Sequence, residues 1–78
     1  MKIEIVTPEQ DLYSGDIESA VFPGMLGSFG VLKNHAPLIS TLQEGSIELV
    51  ELDKKNKSFE IKGGVVEVLN NKIIVLAE

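Results

Sequence analysis

The strongest constraint on this chain is a period-two alternation of apolar and polar residues, broken by turn signals roughly every six to ten residues. Lys2-Ile3-Glu4-Ile5-Val6 sets Ile3 and Ile5 on one face of a half-buried strand. Leu12-Tyr13 reads as a short strand that Ser14-Gly15 turns back. Residues 16–22 alternate again, with Ile17 and Val21 expected inward. The same pattern returns in residues 46–52 and in residues 59–62, where Phe59 and Ile61 are expected inside. Residues 65–69 and 72–76 form a hairpin about Asn70-Asn71, a pair that tolerates positive φ. Gly63-Gly64 permits a bend or a close backbone approach. No stretch offers apolar i, i+3, i+4 spacing over three turns, so no helix is expected. These signals add up to nine or ten short strands: an all-β sandwich or flattened barrel forming a single domain over residues 1–78.

One stretch departs from the pattern. Residues 23–40, PGMLGSFGVLKNHAPLIS, hold three of the seven glycines, two of the three prolines and the only histidine. Charge is sparse there, and Met25, Leu26 and Phe29 sit among glycines where they cannot all turn inward. A long apolar loop of this kind is the working surface of a small domain, and the strands are its scaffold. Phe29 fits either role, plugging one end of the sandwich or joining the exposed surface. Val31-Leu32 is expected to add a short strand before the turn at residues 33–37, and a strand resumes over residues 38–42.

Several functional classes are excluded or weakened. The net charge is −5, with seven lysines and no arginine, which disfavours nucleic acid and anionic lipid headgroups. Direct lipid insertion is not expected, since no run approaches the roughly 18 apolar residues of a membrane span. Met1 leads straight into a strand without a charged-then-apolar leader, so a soluble cytoplasmic protein is expected. Catalysis would need a base, a nucleophile and oxyanion donors in reach of one another. His35 lies between Asn34 and Ala36, and neither Ser28 nor Ser40 sits on a Gly-x-Ser-x-Gly elbow. With no cysteine, one histidine and dispersed acids, no metal site is expected, nor any cofactor. Gly24, Gly27 and Gly30 recur every three residues, but no helix follows to hold a phosphate. The lysines of residues 54–57 read as a solvated turn. What remains is a non-catalytic β-sandwich adaptor, or a small carbohydrate- or peptide-binding module whose groove is the central loop.

Specific residues narrow this further. Ile3-Glu4-Ile5-Val6-Thr7-Pro8-Glu9, the Leu12-Tyr13-Ser14-Gly15 segment, Asn34-His35-Ala36-Pro37-Leu38 and Gly63-Gly64-Val65-Val66-Glu67-Val68 occur in the order seen in one family. With Val75-Leu76-Ala77-Glu78 at the end, the whole chain resembles the epsilon subunit of F-type ATP synthases. The resemblance implies a ten-stranded β-sandwich in the central stalk, turning with gamma and the c ring within the alpha3-beta3-gamma-epsilon assembly. It implies a location on the cytoplasmic face of the bacterial inner membrane, peripheral through the complex. Carried over, Met25, Leu26, Ser28 and Phe29 would face the c ring, and His35, Ala36, Pro37, Leu38 and Thr41 would meet gamma. The family often has an acid where Ser28 stands, so Met25 and Leu26 would supply apolar contact in place of an ion pair. Members typically continue into a helical hairpin that restrains ATP hydrolysis. This sequence stops at Glu78, and the expectation is a short form without that arm.

Overall fold

The computed structural model describes all of residues 1–78 and contains only strands and turns. Eight strands follow one another: β1 (Lys2–Val6), β2 (Asp11–Gly24), β3 (Gly27–Leu32), β4 (Leu38–Leu42), β5 (Gly45–Glu51), β6 (Asn56–Ile61), β7 (Gly64–Leu69) and β8 (Lys72–Ala77). They form one sheet in the order β1-β8-β7-β4-β2-β5-β6, with β3 also on β2. β1 pairs with β2 as well, which closes β1-β8-β7-β4-β2 on itself. The sheet is thus rolled into the flattened barrel that the alternation implies. Every pairing is antiparallel except β1 with β8.

The strand count is eight, not nine or ten. The difference lies in β2, which runs unbroken through fourteen residues. Ser14-Gly15 is no turn: Ser14 pairs with Glu4 and Gly15 with Ile3 within the ladder to β1. The glycine is there for space, because a Cβ at residue 15 would stand 2.9 Å from the Tyr13 hydroxyl. Pro23-Gly24 likewise ends β2 in place of starting a loop, and much of residues 23–40 is ordered strand.

One inward assignment is also corrected. Ile17 is buried, but Val21 is 42% exposed while Ala20 and Phe22 are fully buried. Ile17 opposes Glu51 and Ser19 opposes Val50, so Glu18 is an extra residue with no partner on β5. That bulge moves the inward phase from odd to even positions. Glu18 points outward and meets Lys54 at 2.6 Å across the β5–β6 turn.

Fifteen buried apolar residues, drawn from all eight strands, make one core with no buried charged or polar side chain. Phe22 is its largest member. Ile61 is buried and Phe59 half-buried, as the alternation of β6 requires. Asn70 and Asn71 hold φ of 51° and 60°, the paired positive values of a two-residue I′-type turn. Gly64 admits the close approach expected of it, since a Cβ there would lie 2.3 Å from the Leu76 carbonyl oxygen.

Candidate functional site

The β2–β3 hairpin presents Met25 and Leu26 at its tip. Gly24 pairs with Gly27, leaving those two residues as the turn, and Gly27 carries a φ of 129°. Leu26 is as exposed as an isolated side chain, at 105%, and Met25 is 56% exposed. The tip is nonetheless held in place. Met25 N–H donates to the Thr41 carbonyl at 3.0 Å, and Gln43 N–H donates to that of Pro23 at 2.9 Å. Gln43 Nε2 also donates to the Gly24 carbonyl at 2.9 Å. Gly24 fits this junction because a Cβ would come 2.6 Å from the Gly27 carbonyl and 2.9 Å from the Phe29 ring.

Met25, Leu26, Ser28, Phe29 and Thr41 together border a groove of about 540 Å³ between the hairpin and β4. Ser28 faces solvent. Phe29 is half-buried, its ring 5.6 Å from that of Phe22, so it anchors the hairpin to the core as well as lining the groove.

His35, Ala36 and Pro37 lie at the other end of β3. A strand of six residues spans roughly 20 Å, which sets the two clusters far apart. His35 N–H donates to the Leu32 carbonyl at 3.1 Å, and its ring Nδ1 lies 2.7 Å from the Ala36 carbonyl. A carbonyl only accepts, so Nδ1 is the donor in this contact, and Nε2 makes no hydrogen bond within the chain. No serine or carboxylate bonds the ring, and no group of three His, Asp or Glu side chains gathers to hold a metal ion. Leu38 is half-buried and Thr41 exposed on β4, which connects the two clusters.

The outer face of β1, β8, β7 and β4 carries more apolar surface than the sequence reading credited. Val6, Leu76, Val65 and Thr41 stand in one cross-strand row. Ile39, at 73% exposure, and Ile74 flank Glu67 in the next. A cleft of about 840 Å³ opens where Val6, Met25, Val65 and Leu76 converge. Its signal was present in Val65-Val66 and in Ile73-Ile74-Val75-Leu76, which are apolar on both faces, as strands covered from both sides are.

Residues 1–78 match the family model described as ATP synthase, Delta/Epsilon chain, beta-sandwich domain. The chain belongs to this family. The ATP synthase epsilon chain of Chlorobium limicola is 44% identical over 77 residues, covering 99% of this chain and 88% of its own length. That of Leptospira interrogans serovar copenhageni is 40% identical over 78 residues and is covered to 61%. Among solved structures, the Euglena gracilis mitochondrial ATP synthase (OSCP/F1/c-ring) contains a chain that superposes with a TM-score of 0.90 at 17% identity. The overlap takes in 96% of this chain and 48% of that one, and it shows that the two share a fold.

Proposed function

We propose that this chain is a non-catalytic rotor part of the central stalk of an F-type ATP synthase, linking gamma to the c ring. In that role it couples transmembrane proton flow to ATP synthesis. One observation carries the reading: the epsilon family match runs through every residue, with relatives of that name at 40–44% identity. The geometry supports it, because a part that transmits torque must hold two partners on a scaffold that does not yield. The closed strand circuit is such a scaffold, and the hairpin tip and the turn of His35, Ala36 and Pro37 lie at opposite ends of β3, with Thr41 of β4 beside the tip.

Within this reading the hairpin tip meets the c ring. Met25 and Leu26 supply the apolar contact, Ser28 a polar edge, and Phe29 the anchor beneath them. His35, Ala36, Pro37, Leu38 and Thr41 meet gamma along the turn and β4. The complex lies on the cytoplasmic face of the bacterial inner membrane, and the chain is held there by its partners. Both interfaces together must bury well over about 1,000 Å² to persist under load.

The test is affinity purification of the tagged chain from gently solubilised membranes of its source. Recovery of gamma, alpha, beta and the c subunit is the expected result. Recovery of the chain alone, with a different epsilon subunit holding the stalk position in the same membranes, would overturn the proposal.

A further inference from the structure

Two asparagines far apart in sequence clasp each other beside the His35 turn. Asn34 N–H donates to Asn71 Oδ1 at 2.6 Å, and Asn71 Nδ2 donates to Asn34 Oδ1 at 3.0 Å. Both residues hold positive φ, 66° and 60°, a region that asparagine tolerates better than most residues. The two sides of the clasp are unequally fixed. Asn71 belongs to the tight β7–β8 turn, and its carbonyl accepts the Lys2 N–H at 3.0 Å, so it is tied to β1 as well. The turn at residues 33–37 has only the His35 amide bond to Leu32 and the His35 ring bond to Ala36 to shape it internally. Asn71 is therefore the fixed post, and the turn is what it holds.

We infer that Asn71 is a positioning residue: through Asn34 it sets the pose in which His35, Ala36 and Pro37 are offered to gamma. The inference rests on the proposed gamma interface and adds to it a residue from outside the turn, on the β7–β8 hairpin. A turn that samples several poses binds with its affinity reduced by the fraction of time spent in the competent one. Clasping it in advance removes that loss, which is the general benefit of preorganisation.

Asn71→Gly isolates the effect. Glycine is favoured in a turn that needs positive φ, so the hairpin persists while both clasp bonds vanish. Asn71→Asp is the conservative partner. It keeps an oxygen for the Asn34 N–H, and the Asn34 amide can rotate to present its Nδ2 to the carboxylate. The experiment measures amide hydrogen exchange in the full chain and its affinity for purified gamma, with Ala36→Asp as a direct interface variant. In Asn71→Gly the Asn34 amide should exchange about tenfold faster while the Leu69 and Lys72 amides keep their protection. Gamma affinity should fall about three- to tenfold, and Asn71→Asp should recover most of both. Unchanged exchange at Asn34, or faster exchange with unchanged gamma affinity while Ala36→Asp weakens binding, would overturn the positioning role and leave the interface standing. If neither Asn71→Gly nor Ala36→Asp alters gamma binding, the interface assignment itself falls, and the positioning role with it.

Discussion

Tyr13 is the residue whose chemistry the fold alters most. Its ring packs 5.4 Å from Phe59, and its hydroxyl donates to the Glu51 carboxylate. That hydrogen bond, then burial, then the charges of Glu51, Asp53 and Asp16 push its pKa up from 10.0 to about 12. The unfolded chain loses this proton near pH 10, whereas the folded chain keeps it to about 12. The stabilising contribution is thus complete below pH 10 and is lost as the pH rises through 12. Tyr13 is the only tyrosine, so phenolate absorbance reports it alone, and its midpoint should lie well above 10. Denaturation midpoints across pH 8 to 12 should show an alkaline loss in the native chain that Tyr13→Phe lessens. Phe29 makes a different point at the same scale. A charge placed there would lie against Phe22, so Phe29→Asp would weaken the fold as well as any contact. Met25→Asp and Leu26→Asp are the clean probes, because both side chains are exposed. Each should leave the thermal midpoint within a few degrees of the native value, yet lower c-ring retention in the solubilised complex by at least about tenfold.

The β2–β3 hairpin is the element on which these contacts depend. A methyl group at residue 24 would meet the Gly27 carbonyl and the Phe29 ring, so Gly24→Ala must push the strands apart or shift the ring. The expected cost is about 1–3 kcal/mol, with faster exchange of the Met25 and Gln43 amides, whose bonds join the hairpin to β4. The elements differ in how readily sequence revealed them. β1, β5 and β6 were legible because their apolar and polar residues alternate, and the β7–β8 hairpin because two apolar runs flank the Asn-Asn turn. β2 was not, for two physical reasons. Its internal glycine serves the packing of Tyr13 and not a turn, and its bulge at Glu18 reverses the inward face midway. Residues 23–40 misled in a similar way: their glycines meet the steric needs of a tight hairpin, not those of a long loop. The candidate contact residues were visible as apolar side chains in a glycine-rich setting. The Asn34–Asn71 clasp was not, since it is made by a register that only the closed sheet brings about.

At the scale of the whole molecule, the fold is a small closed body with extents of 27 × 24 × 18 Å and a wholly apolar core. Its ladders leave β3 and β6 each paired with a single neighbour, while the proposed contacts fall on the hairpin tip and on the turn leading into β4. The tip and the turn lie at the two ends of β3, so the strand ladder runs between the proposed contacts. The central claim is that these two ends hold different partners at once. Because the chain contains no cysteine, a single introduced one is unambiguous. The decisive measurement is site-directed photo-crosslinking in the assembled membrane complex, from Leu26→Cys and from Ala36→Cys, with the captured proteins identified. Leu26→Cys should capture the c subunit and Ala36→Cys should capture gamma. Capture of the same partner from both positions, or of neither gamma nor c from either, would contradict the account.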